Sequence, residues 1–127
     1  MIILDTTVWI EYLKNNTKYY SVISQLLESR EILAVECVFG ELLQGVKNKY
    51  EKKIVLNYWK YLPKEKYDDI IIEAGNYSNK NKLTDKGVGL IDSIILMHGI
   101  KGNSKIWTID KKFQRIIPEE LKYTGNE

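Results

Sequence analysis

The chain alternates short apolar runs with longer stretches in which apolar residues recur every three or four positions. Ile2-Ile3-Leu4 is fully apolar and stops at Asp5-Thr6-Thr7, which predicts a buried strand running into a helix cap. Val8, Trp9, Ile10, Tyr12 and Leu13 then fit a helix ending near Lys14-Asn15-Asn16, and Tyr19 to Leu27 fit a second. Glu31 to Val35 reads as another strand. Val38, Phe39, Leu42, Leu43 and Val46 form one helical stripe, and Lys49 to Tyr61 predicts an amphipathic helix closed by Pro63. Tyr67 to Glu73 reads either way, because Ile70-Ile71-Ile72 suits a strand or the start of a helix; a polar-faced helix then continues to Lys82. Gly87-Val88-Gly89 breaks the chain. Leu90 to His98 predicts a short helix with Gly99 as its C-cap, Lys105 to Ile109 a strand, and Asp110 the opening of a helix that ends before Pro118. Strands alternating with helices predict an α/β fold with a mostly parallel sheet covered on both faces.

Length and composition narrow this picture. A chain of 127 residues, 44% hydrophobic and 28% charged, suits one globular domain spanning residues 1–127 and argues against disorder. The formal charge of +2, from 19 basic and 17 acidic residues, is too balanced to announce a nucleic-acid binder by itself. Cys37 is the single cysteine, so neither an internal disulfide nor a cysteine-based zinc site is available, which suits a reducing compartment. No apolar run reaches membrane-spanning length, and Met1-Ile2-Ile3-Leu4 lacks the basic lead-in of a signal peptide; a cytoplasmic location is expected.

The candidate chemistry lies in four acids. In parallel α/β sheets ligands bind beyond the carboxyl ends of the strands, where Asp5 and Asp110 are expected. Glu41 falls at the border of an apolar helical stripe, one turn from Gly45, and should lean inward. Asp92 interrupts the apolar segment Leu90-Ile91 to Met97, where a carboxylate must be neutralised, capped or bound to a cation. Each acid also has a plain reading: Asp5, Asp92 and Asp110 suit helix N-caps, and Glu41 suits a solvated helix face. Jointly they form an oxygen-rich set for which Mg²⁺ or Mn²⁺ is the natural partner. Such a site can hydrolyse a phosphodiester by polarising the phosphoryl oxygen and activating water, with Thr6 and Thr108 as supporting hydroxyls. Competing chemistries are thin. The single histidine, His98, reads as a helix C-terminal residue favoured by the dipole, and Cys37 as a small core residue. Neither a GxxxxGK[ST] loop nor a GxGxxG is present.

These segments together resemble the PIN-domain ribonucleases, in size and layout the VapC-type toxins of toxin–antitoxin pairs. Ile3-Leu4-Asp5-Thr6-Thr7-Val8-Trp9-Ile10 is similar to the family's first strand and acid. Gly40-Glu41-Leu42-Leu43-Gln44-Gly45 resembles its acidic helix, Gly89-Leu90-Ile91-Asp92-Ser93-Ile94-Ile95 its third acid, and Trp107-Thr108-Ile109-Asp110-Lys111-Lys112-Phe113 its ending. Lys112 stands where many relatives carry a further acid, which bears on a second metal position. The resemblance implies a three-layer α/β/α sandwich with a central, mostly parallel sheet of four to five strands. It also implies a Mg²⁺- or Mn²⁺-dependent endoribonuclease, with Asp5, Glu41, Asp92 and Asp110 as catalytic and metal-binding residues. Finally, it implies a homodimer and a cognate antitoxin whose tail covers the acidic groove. Lys47 and Lys49, then Lys80, Lys82 and Lys86, then Lys111 and Lys112 flank the acids in sequence and could line an RNA path, although each group also reads as a solvated face. Two alternatives compete. A phosphoacceptor or nucleotide-binding signalling module would need an acceptor Asp at the end of a middle strand, which is missing. A catalytically silent PIN domain that only binds partners would not need all four acids.

Overall fold

In the computed structural model of the chain, which describes residues 1–125, the first apolar run forms β1 (Ile2–Leu4) at the centre of a parallel sheet. The last two positions of the expected 1–127 unit lie outside the described residues. β2 (Ile32–Leu33) and β3 (Lys105–Trp107) flank β1, with Ile3 opposite Leu33 on one side and Ile106 on the other. All three residues of β1 are buried. Since successive strand side chains point to opposite faces, both faces must be covered, giving three layers. The expected four to five strands reduce to three among the described residues. Each edge adds only a single parallel bridge, Ala34 with Lys64 and Ile106 with Lys122. Pro63 has no N–H to donate, and the 3-10 turn Glu119–Leu121 runs straight into Lys122, so neither edge extends into a longer ladder.

Seven α-helices are found among the described residues: α1 (Thr6–Leu13), α2 (Thr17–Glu28), α3 (Glu36–Gly45), α4 (Lys49–Tyr61), α5 (Ile70–Lys80), α6 (Leu90–Gly102) and α7 (Lys111–Ile116). Side chains cap most of the polar starts. Asn16 accepts from the Lys18 N–H at 3.1 Å to open α2, and Asn48 from the Glu51 N–H at 2.9 Å to open α4. The ambiguous Ile70-Ile71-Ile72 segment is the first turn of α5. Ile71 and Ile72 are exposed, while Ala74 is buried against Ile94 and Met97 of α6. The β-branched triple therefore starts an amphipathic helix rather than a core strand. The main core gathers both faces of the sheet around Trp9, which is 1% exposed and meets Phe39 and Tyr58 at ring distances of 5.3 Å. Tyr12 and Tyr58 share a hydroxyl hydrogen bond of 2.8 Å within this cluster.

Two expectations for α6 are corrected. Gly99 is not its C-cap; the helix continues to Gly102 and Asn103 takes the left-handed turn at φ 50°. Gly99 is instead a packing residue, because a Cβ there would stand 2.7 Å from Ile106 Cδ1 and 3.1 Å from the Ser104 carbonyl. His98 consequently lies one turn inside the helix rather than at its end. It is buried at 6% exposure, its Nδ1 has no partner among the described residues, and burial pushes its pKa below the ordinary imidazole value.

Candidate active site

β1 ends in Asp5, which leaves the strand, caps α1 and turns its carboxylate toward the end of β3. The side chain is 3% exposed. Oδ1 accepts from the Val8 N–H at 3.1 Å and from the Thr7 hydroxyl at 2.6 Å, and Oδ2 accepts from the Thr108 hydroxyl. Both hydroxyls also receive a backbone N–H from the turn after β3: Thr7 from Ile109 at 3.2 Å, Thr108 from Asp110 at 3.0 Å. Asp5 thus ties the ends of two adjacent strands together through two threonine relays. Burial, with a smaller contribution from Asp110, raises its pKa; the bonds from Thr108, Thr7 and Val8 oppose that rise.

Asp110 caps α7, accepting from the N–H groups of Lys112 at 2.9 Å and Phe113 at 3.4 Å. Glu41 sits on α3, where the structure departs from the expected inward lean: the residue is exposed, yet its Oε1 accepts from the Thr6 hydroxyl at 2.5 Å. Gly45, one turn on, has open space beside its Cα and lines a groove of about 290 Å³ with Glu41, as a missing side chain allows. Asp92 lies in the first turn of α6, whose cap is Gly89 rather than Asp92 itself. From Ser93 to Gly99 that helix is continuously buried. Asp92 is half-buried, and its pKa is pushed up to about 6, first by burial and then by the charges of Asp5, Asp110 and Glu41. The neighbouring Cys37 thiol is pushed up to about 11, first by burial and then by Glu41, with Asp92 a smaller contributor.

The four acids predicted from the sequence therefore share one electrostatic neighbourhood, reached from β1, α3, α6 and the end of β3. They do not converge on a common point: among the described residues, no group of three or more acids lies close enough to hold one ion. The reason is local satisfaction. Asp5 and Asp110 are engaged as helix caps and Glu41 is held by Thr6, while mutual repulsion keeps like charges apart.

The sequence model of the PIN domain family matches residues 2–117. The chain belongs to the PIN domain family. Its fold is similar to that of a chain in VapBC2 from Rickettsia felis bound to a DNA fragment from its promoter, with 25% identity, 96% of each chain covered and a TM-score of 0.71. It is also similar to a chain of VapBC-1 from nontypeable Haemophilus influenzae, with 23% identity, 98% of this chain and 97% of that one covered, and a TM-score of 0.70. No curated protein sequence matches the chain.

The PIN resemblance read from the sequence motifs is thus borne out. The four carboxylates and the hydroxyls of Thr6 and Thr108 are oxygen donors of the kind a hard divalent cation takes, but as placed no three of the acids could share one ion among the described residues. The expected basic residues are all exposed but divide between two places. Lys47 lies on the Glu41 groove and Lys49 at the start of α4. Lys86 and Lys112 line a separate pocket against α7, and Lys111 opens that helix. Thr7 went unassigned in the sequence, although the doubled threonine after Asp5 was its signal. Arg115, Tyr77 and Asn81 also line the pocket of Lys86 and Lys112 without having been singled out.

Proposed function

We propose that this PIN domain, a single unit over residues 1–127, is a Mg²⁺- or Mn²⁺-dependent endoribonuclease and the toxin of a toxin–antitoxin pair. The observation that carries the reading is the setting of Asp92: a carboxyl pushed up to about 6, first by burial and then by the charges of three acids from three other segments. Four carboxylates gathered in this way are a receptor for positive charge. Asp5, Asp92, Glu41 and Asp110 are the ligands proposed; since no three of them stand close enough to share an ion as they lie, they would have to draw together around the cation, which when bound polarises the phosphoryl oxygen and lowers the pKa of attacking water. The protein's own residues orient and exclude. The Thr7 and Thr108 hydroxyls fix both oxygens of Asp5, Thr6 holds Glu41, and the apolar walls of α6 keep bulk water from one side of Asp92.

The likeness to a chain of a VapBC complex supports an antitoxin partner, and a homodimeric toxin in the cytoplasm is part of the same proposal. The groove ending at Glu41 suits an antitoxin tail. Ile10, Leu13, Leu42, Ile54 and Val55 would take an apolar stripe and Glu41 a basic side chain. Among the described residues no helix is long and apolar enough to cross a membrane. The test is cleavage of labelled single-stranded and hairpin RNA by the purified protein. Cleavage with Mg²⁺ or Mn²⁺ that stops on chelation and in Asp92→Asn is expected. Cleavage indifferent to chelator overturns the mechanism, and metal binding without cleavage of any RNA favours a silent domain.

A further inference from the structure

An open pocket of about 560 Å³ lies between the end of α5, the 3-10 turn Thr84–Lys86 and α7, the helix that Asp110 caps. Lys86, Lys112 and Arg115 all contribute to its wall, with Tyr77 and Asn81 as further polar groups and no carboxylate among the lining residues. None of the three cations forms an ion pair with a carboxylate among the described residues; the pairs found there are Lys101–Glu73 and Lys122–Glu119. Three like charges around one hollow repel one another, so the pocket gains from any anion that enters it.

The pocket is also shaped to present one of those charges. Gly87 adopts φ +79° directly after the 3-10 turn, and the stem of Lys112 lies across it: a Cβ on Gly87 would stand 2.8 Å from Lys112 Cδ and 3.4 Å from its Nζ. The glycine therefore meets two demands, a left-handed turn and a bed for the lysine stem. A lysine laid along a backbone has fewer rotamers to lose when it meets a ligand, which lowers the cost of binding. Arg115, one turn on from Lys112 in α7, adds a planar fork that matches a phosphate.

We infer that this pocket binds a backbone phosphate of the RNA, outside the scissile bond, and so fixes how the strand crosses the acids. The inference rests on the nuclease reading for its substrate class. Its geometric basis is adjacency: Lys112 follows the Asp110 cap by two residues, and Gly87 stands two residues before Gly89, the cap of the helix of Asp92. A strand leaving the acids on this side meets the three cations, and the division of labour is chemical. Carboxylates gather a metal ion at the bond to be cut, and cations hold the chain beyond it.

The test uses the full chain carrying Asp92→Asn, in chelator, with fluorescein-labelled single-stranded RNA followed by anisotropy across a salt series. Lys112→Met with Arg115→Gln keeps the stem on Gly87 and removes both charges; Lys52→Gln with Lys53→Gln, on the exposed face of α4, is the control. The pocket pair should weaken binding about tenfold and flatten the salt slope by about 1, with the control near parental. Inorganic phosphate should compete with RNA in the parent and fail to do so in the pocket pair. Equal binding by parent and pocket pair, or equal loss in the control, overturns the inference. Phosphate binding at the pocket with RNA affinity indifferent to the substitutions also overturns it, assigning a free anion instead. The two readings fail separately. RNA held at the pocket by a protein that never cuts it would refute the nuclease alone. Cleavage at unchanged KM when the two pocket substitutions are made in the protein with Asp92 intact would refute the pocket alone.

Discussion

Helix α6 carries a buried ionisable group in each half, and the two fare differently. Near its start Asp92 is half-buried and its pKa is raised; toward its end His98 is buried and its pKa is lowered. Desolvation is the leading cause in both, and it pushes each toward its neutral form. The difference lies in what surrounds them. Asp92 has like charges from Asp5, Asp110 and Glu41, contributed by separate segments, whereas His98 has the opposite charge of Glu65 nearby and an edge-on contact with Tyr67. A shifted pKa at His98 is a by-product of packing. The shift at Asp92 is packing plus the repulsion of three acids from other segments, and that added repulsion is what makes Asp92 the stronger candidate for a site.

The largest effect expected from this contrast is on turnover. Asp92→Asn should lower metal-dependent RNA cleavage by about a thousandfold or more, since it removes one of the charges that attract the cation. His98→Gln should leave kcat within about twofold. Initial rates on one RNA, with circular dichroism to confirm folding, check both; a folded but inactive His98→Gln would erase the distinction. Next comes the packing of the His98 half. Gly99→Ala should cost about 1–3 kcal/mol, because its methyl would meet Ile106 and the Ser104 carbonyl, as a denaturant melt would show. Gly87→Ala, on the Asp92 side, should cost about 1–2 kcal/mol for its left-handed turn and also dislodge Lys112.

The smallest effects are in the pH dependence, and they have opposite signs. Asp92 has a folded pKa of about 6 against an ordinary 3.8, so metal-free protein binds the extra proton when folded. Its contribution favours folding below about pH 4 and is lost as pH rises through 6. Asp92→Asn should therefore raise Tm at neutral pH in chelator, with the gain fading toward pH 4. His98 has a folded pKa below 6.5, so its contribution is present above 6.5 and is lost as pH falls through the folded value. Tm profiles of the two variants should diverge from the parent on opposite sides, and the imidazole resonance of His98 should titrate below 6.5.

Much of this was legible in the chain because local signals agreed with the fold. An apolar triplet followed by Asp-Thr-Thr could only be a buried strand running into a capped helix, and Lys49–Tyr61 kept its bounds because Asn48 and the approach to Pro63 punctuate it. What escaped depended on contacts between distant segments. Gly99 resembles a C-cap until Ile106 is packed against it. Glu41 lies at the border of its stripe, where a small rotation decides between core and solvent, and Thr6 rather than burial holds it. The four acids could be named from order and type, but their separation could not: the caps at Asp5 and Asp110 are local, and local bonds proved compatible with being neighbours without touching.

The double threonine relay at Asp5 has a practical consequence. Each hydroxyl that binds this carboxylate also anchors the backbone that presents Asp110, so the first and fourth acids behave as one module rather than two interchangeable parts. Alanine at Asp5 would strip an acceptor from Thr7, Thr108 and Val8 together and let the neighbouring turn drift. A double-mutant cycle across the pair should be strongly non-additive. Anyone transplanting this centre to another scaffold must carry both threonines with it, and anyone wanting an inert yet intact copy should begin elsewhere, at Asp92.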